Sequence, residues 1–138
     1  MRTAVDTNIL SALWSGEPLA SDVARLLAMA HRDGGLVICG AVYCELLAHP
    51  KATVSFTDEF LSRTNIAVDF EPDEPTWREA GRTFAEYADR RRQSGGGAAP
   101  RLLVDFLVGA HALLRADQLL TLDADRYRQA FPQLRIQP

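Results

Sequence analysis

The opening residues place the tightest constraint on the fold. Thr3-Ala4-Val5 is a short apolar run that stops at a carboxylate, Asp6, and the next apolar residues, Ile9, Leu10, Leu13 and Trp14, fall at helical spacing. A buried strand that ends at Asp6 and passes at once into a helix satisfies both patterns. Asp6 or Thr7 can cap that helix, since either side chain accepts from the free N–H groups of a first turn. A carboxylate at the C-terminal end of a buried parallel strand also sits where open α/β sheets collect their ligands. Capping alone would account for Asp6 if no other acid stood in such a setting, but three more do.

The rest of the chain repeats the alternation. Gly16-Glu17-Pro18 makes a break, and residues 19–32 carry Val23, Leu26, Leu27 and Ala30 at helical spacing, stopped by Gly34-Gly35. Leu36-Val37-Ile38-Cys39, bounded by glycines, reads as a second buried strand. Helices are expected over 41–48 and 54–63, with a third strand at Ile66-Ala67-Val68. A proline-rich turn then leads into a helix over 76–92. Ser94-Gly95-Gly96-Gly97-Ala98-Ala99-Pro100 reads as a flexible loop, too short to link domains. A strongly apolar helix over 102–115, a strand over 118–121, a short helix over 125–130 and a last strand over 134–136 complete the pattern. Strands alternating with helices imply a mostly parallel sheet covered on both faces. At 138 residues the chain, 1–138, is expected to form one domain with a real core.

Composition narrows the function classes. The formal net charge of −3 argues against binding nucleic acid through bulk positive charge. It leaves room for an enzyme whose acids gather cations, because bound metal reverses the local sign. Lys51 is the only lysine, so nearly all the positive charge is arginine, a residue suited to bidentate phosphate contacts. Cys39 and Cys44 cannot make a disulfide framework and have no histidine or cysteine partners at zinc-ligand spacing; a reducing, cytoplasmic setting with both thiols packed as small apolar groups is expected. No apolar run is long enough to span a membrane, and no secretory leader pattern opens the chain.

The chemistry lies in the acids. Asp6 ends the first strand; Glu45 sits in the apolar run Ala41-Val42-Tyr43-Cys44-Glu45-Leu46-Leu47; Asp105 sits in Leu102-Leu103-Val104-Asp105-Phe106-Leu107-Val108; Asp123 follows the strand at Leu119-Leu120-Thr121, with Asp125 two residues later. A carboxylate inside an apolar helix is costly to bury unless it is paired or bound to metal. Asp105, Gly109 and Ala112 share one helix face, and the two small residues let that face approach the sheet closely. Arg101, four residues before Asp105, is the nearest candidate partner for it. Each acid also has an ordinary explanation: a solvated helix edge for Glu45, a cap of the last helix for Asp123 or Asp125. One shared cause explains them better than four coincidences, and an all-oxygen donor set points to Mg²⁺ or Mn²⁺.

In order along the chain, Val5-Asp6-Thr7-Asn8-Ile9-Leu10, Glu45-Leu46, Asp105-Phe106-Leu107-Val108-Gly109-Ala110-His111-Ala112 and Leu120-Thr121-Leu122-Asp123 resemble the successive motifs of PIN-domain ribonucleases, and most of all the VapC-like toxins of toxin–antitoxin pairs. The resemblance implies a PIN-like three-layer α/β/α sandwich on a mostly parallel sheet of four to five strands. It implies that Asp6, Glu45, Asp105 and Asp123 bind Mg²⁺ or Mn²⁺ and carry catalysis, with Asp125 a further candidate ligand and Thr7, Asn8 and Thr121 in supporting positions. The activity implied is endoribonucleolytic hydrolysis by metal-activated water, leaving a 5′-phosphate and a 3′-hydroxyl. The partners implied are an RNA substrate, a VapB-like antitoxin whose C-terminal segment blocks the acid site, and a second copy of the chain. Leu13 and Trp14 are candidates for that dimer contact, with core burial expected for at least one of them.

Arg101 or the run Arg90-Arg91-Arg92 could steer RNA phosphates, although arginines are also favoured at a helix C-terminus. His31, His49 and His111 are not placed to act as a base, and His111 lies off the acid face. Two rival readings remain. One is a phosphatase or phosphoacceptor with Asp6 as nucleophile, which lacks a second aspartate at position 8, where Asn8 stands. The other is a PIN-like binding module without catalysis, against which the full set of acids argues.

Overall fold

A computed structural model describes residues 1–96 and 100–138, so the centre of the glycine-rich stretch expected to be a flexible loop lies outside the described residues. Among the described residues five strands form one sheet in the order β3-β2-β1-β4-β5, and every pairing is parallel. The strands are β1 (Thr3–Val5), β2 (Leu36–Cys39), β3 (Ile66–Asp69), β4 (Gln118–Leu120) and β5 (Ile136–Gln137). The helices are α1 (Thr7–Ser15), α2 (Ala20–Asp33), α3 (Gly40–Leu47), α4 (Val54–Arg63), α5 (Glu74–Gln93), α6 (Leu103–Arg115) and α7 (Ala124–Arg128). The helices flank the sheet, α1 packing along α2 and α5 along α6.

The sheet is built as its sequence requires. Every residue of β1, β2 and β4 is buried, which is why these strands read as unbroken apolar runs rather than as alternating ones. Ala4 pairs with Val37 on one side and Leu119 on the other, so β1 is the central strand. From β1 the chain winds outward to β2 and β3, then returns to β4 on the opposite side. The sheet therefore changes direction between β1 and β4, and a crevice is expected beyond the C-terminal ends of these two strands. Asp6 and Thr121 are the first residues past those ends, and the Asp6 N–H donates to the Leu120 carbonyl at 3.0 Å.

Local signals fix the helix starts. Asp6 accepts from the Thr7 N–H and caps α1, Thr53 caps α4 through the Phe56 N–H, and Asp73 caps α5 through Thr76 with a proline in its first turn. Gly16 ends α1 in the left-handed region at φ 63°, where a Cβ would be strained.

The structure bears out some of these expectations and corrects others. Trp14 is only 6% exposed, packed edge-on against His49, Phe56 and Phe60 at 5.1–5.5 Å, so it belongs to the core, whereas Leu13 is half-buried. Cys39 is buried as expected, but Cys44 is exposed, because α3 turns Val42 and Leu46 inward and leaves position 44 outside. The last strand starts at Ile136 rather than 134, because a turn in which the Leu134 N–H donates to the Phe131 carbonyl at 3.0 Å delays it.

Candidate active site

Asp6 anchors the site. It is 4% exposed, and four donors hold its carboxylate. The Thr7 N–H reaches Oδ1 at 2.8 Å, while Oδ2 accepts from Thr121 Oγ1 and Tyr127 Oη, both at 2.8 Å, and from Asn8 Nδ2 at 3.3 Å. Asn8 also donates to Thr121 Oγ1 at 3.2 Å and accepts from the Leu122 N–H at 3.1 Å, and the Asp123 N–H donates to Thr121 Oγ1 at 3.1 Å. The loop after β4 is thus tied to the start of α1 through two side chains, which fixes Asp123 beside Asp6. Burial pushes the Asp6 carboxyl above the usual carboxylate range despite these donors, and it pushes the Tyr127 hydroxyl far up.

Glu45 joins from α3. Its side chain lies on the exposed face, and Oε1 accepts from Thr7 Oγ1 at 2.6 Å. Burial raises its carboxyl; the Thr7 bond opposes that rise, and the charges of Asp6 and Asp105 add to it. Asp105 stands in the first turn of α6 with its side chain 18% exposed, and Asp123 precedes α7 at 44%.

Between Asp105 and Asp123 lies a cation. Arg126 Nη1 is 3.3 Å from Asp105 Oδ1, and Arg126 Nη2 is 3.1 Å from Asp123 Oδ2. Partial burial works against the guanidinium charge, but Asp105 and Asp123 outweigh it and hold the group protonated. Arg126, not Arg101, is therefore the partner of Asp105. Arg101 lies before the Leu102 cap of α6, outside the helix, and its backbone N–H donates to the Tyr87 hydroxyl at 2.7 Å. Asp125 points away from this group: its side chain is 91% exposed and pairs with Arg128 at 3.1 Å. Among the described residues no three His, Cys, Asp or Glu side chains stand close enough together to hold a metal ion as they are placed.

Tyr127 and Arg126 are the residues that the sequence reading missed. Arg126 carried a signal, since it lies three residues after Asp123 and can meet it on one helix face. Tyr127 carried none beyond being a buried aromatic in a short helix. His111 is 2% exposed and belongs to a separate cluster, with Nε2 3.2 Å from Asp69 Oδ2 and Arg115 Nε 2.5 Å from the same oxygen. Burial pulls the His111 imidazole below its ordinary value although Asp69 opposes that shift, and the side chain stands apart from the acids as a structural group.

The PIN domain family model matches residues 3–132, nearly the whole chain. The chain belongs to the PIN domain family. Its fold is shared by solved structures of modest sequence identity. VapBC-1 from nontypeable Haemophilus influenzae superimposes with a TM-score of 0.66 at 22% identity, covering 99% of this chain and 97% of that one. VapBC2 from Rickettsia felis, bound to a DNA fragment from its promoter, gives 0.59 at 23% identity, covering 99% and 98%. No curated protein matches by sequence. No helix among the described residues is long and apolar enough to cross a membrane.

Proposed function

We propose that this PIN domain is a metal-dependent endoribonuclease and the toxin of a VapBC-type pair. The observation that carries the reading is the charge balance at the strand ends. Asp6, Glu45, Asp105 and Asp123 come from four separate segments to one region, and Arg126 is the cation placed among them. One guanidinium against four carboxylates leaves a negative excess in a half-buried setting, and the donors are all oxygen. That chemistry fits a hard divalent ion, Mg²⁺ or Mn²⁺, held by Asp6, Glu45, Asp105 and Asp123. Such an ion would supply an activated water and offset charge on a scissile phosphate.

The chain's own residues do the positioning. Asn8 and Thr121 lock the loop after β4 onto α1, so Asp123 keeps its place relative to Asp6. The Thr7 hydroxyl orients Glu45, and Tyr127 fixes the plane of the Asp6 carboxylate. Asp125, exposed and paired with Arg128, is left out of the proposed ligand set, and Arg101 is retained only as a candidate RNA contact. A phosphoacceptor role for Asp6 is disfavoured, because the position two residues on, where such a site needs a second aspartate, is Asn8, whose amide is spent on Asp6 and Thr121. By likeness to the VapBC structures, a VapB-like antitoxin and a second copy of the chain are the proposed partners.

The test is cleavage of structured and single-stranded RNA by the purified protein with Mg²⁺ or Mn²⁺, with EDTA and Asp105→Asn as controls. Cutting is expected with metal and lost in both controls. Cutting that survives Asp105→Asn would overturn the site. Failure to bind Mn²⁺ in calorimetry would return the chain to a non-catalytic binding module.

A further inference from the structure

Arg126 is the one feature of the site that a metal-binding role leaves unexplained. Its guanidinium takes one nitrogen to Asp105 and another to Asp123, and it also draws on the charge of Asp6. It fills the gap between two carboxylates that, as placed, do not come together with a third acid at metal-binding spacing. We infer that Arg126 is a built-in counter-ion that occupies the cation position of the acid site and must be displaced before a divalent ion can enter. This rests on the metal-dependent reading of the site above.

Three observations support displacement rather than a permanent lock. The Arg126 side chain is 39% exposed, and its partners are 18% and 44% exposed, so water competes for both contacts and each pair is weakly held. The two contacts, at 3.3 and 3.1 Å, go to different carboxylates rather than forming a fork on one, so neither has the strength of a bidentate pair. Tyr127, the next residue, is 1% exposed and bonded to Asp6, so α7 stays anchored to the site through Tyr127 when the Arg126 side chain leaves the acids. A divalent ion and the guanidinium compete for the same oxygens, and linkage requires each to weaken the other's hold.

The experiment is Mn²⁺ binding by calorimetry, without RNA, to the EDTA-stripped wild-type protein, Arg126→Gln and Arg126→Lys. Arg126→Gln is expected to bind Mn²⁺ roughly tenfold more tightly, the scale of losing two partly screened ion pairs. Arg126→Lys, which keeps the charge but bridges two carboxylates less well, is expected to fall between. Thermal unfolding gives a second readout: in EDTA Arg126→Gln is expected to melt below wild type, and Mn²⁺ to raise its midpoint by more. Wild-type binding with equal or weaker binding by Arg126→Gln would overturn the counter-ion role and leave the metal site standing. No Mn²⁺ binding by any of the three would overturn the metal reading and this inference with it.

Discussion

Gly109→Ala separates two effects of opposite sign. Gly109 lies in the middle of α6, where alanine is the better helix former by about 1 kcal/mol. Propensity alone therefore expects the substitution to stabilise. The structure expects the reverse. A Cβ on Gly109 would lie 2.2, 2.5 and 2.7 Å from three atoms of the Phe131 ring, the nearest more than an ångström inside the 3.4 Å at which ordinary contact begins. Phe131 is 2% exposed, so its ring has little room to withdraw. Overpacking of a filled core costs about 1 to 3 kcal/mol, and an overlap this deep belongs at the upper end. After the gain in propensity the expected net loss is about 1 to 2 kcal/mol. Urea unfolding measures it, and Phe131→Leu supplies the control. With the ring shortened, Gly109→Ala should become neutral or stabilising, a coupling that a double-mutant cycle reads directly. Stabilisation by Gly109→Ala in both backgrounds would refute the packing argument. The site is affected too, because Phe131 follows α7: pushing α6 away moves Asp105 from Arg126. The small residues of α6 were expected to bring that helix close to the sheet, but the tight approach at Gly109 is to Phe131.

Three further outcomes follow from the same geometry. Tyr127→Phe removes one donor from the ionised Asp6 and should cost about 1.5 to 3 kcal/mol at pH 7; the cost should shrink on acidification, since the lost bond favoured the charged form, and a cost independent of pH would refute that role. Asp69→Asn should cost about 1 to 3 kcal/mol at neutral pH, discounted because Arg115 is 32% exposed. Although burial opposes it, the Arg115 contact holds the Asp69 carboxyl below its ordinary value, so this stability is present above the unfolded carboxylate value and lost as pH falls through the folded one. Wild type and variant unfolding curves should therefore converge in acid, and a gap that persists there would count against the pairing. Finally, Asp125→Ala should leave Mn²⁺ affinity unchanged while Asp123→Ala lowers it; calorimetry giving the opposite order would reassign the fourth acid.

The elements were legible because their signals are local. Fully buried strands appear as apolar runs bounded by glycine or a carboxylate, and the capping side chains sit within three residues of the groups they serve. Asp6 was legible for the same reason, as a cap at the end of such a run. The surroundings of Asp6 were not. Thr121 and Tyr127 reach it across 115 and 121 residues, and only the placement of β4 beside β1 brings them there. The partner of Asp105 was misread because a spacing of four residues pairs side chains only within a helix. The extended backbone of Leu102, with ψ at 153°, puts Arg101 outside it. Periodicity marks Val42 and Leu46 as the buried face of α3, yet a thiol's small apolar character hid the exposure of Cys44.

Asp6 holds a charge that capping α1 does not require. As a cap, asparagine serves about as well as aspartate. As a buried acceptor, an asparagine would keep its oxygen on the Thr7 N–H and turn its amide toward the Tyr127 hydroxyl, which can reverse and accept, but it would also face the Asn8 amide and a Thr121 hydroxyl that already accepts from Asn8 and the Asp123 N–H. Burial lifts the Asp6 carboxyl, so the fold prefers the proton. That preference contributes stability below the unfolded carboxylate value and is lost as pH rises through the folded one, so at pH 7 the charged form is a burden. Relief of the buried charge and loss of the Thr121 and Asn8 bonds oppose each other, so Asp6→Asn is expected to stay within about 2 kcal/mol of wild type in EDTA at pH 7 while losing Mn²⁺ binding. Urea unfolding and calorimetry on the same preparation check both halves. A variant destabilised by more than about 2 kcal/mol would mean that the carboxylate is kept for the fold, as a fully used hydrogen-bond acceptor. A stable variant that no longer binds the ion would mean that the charge is kept for chemistry.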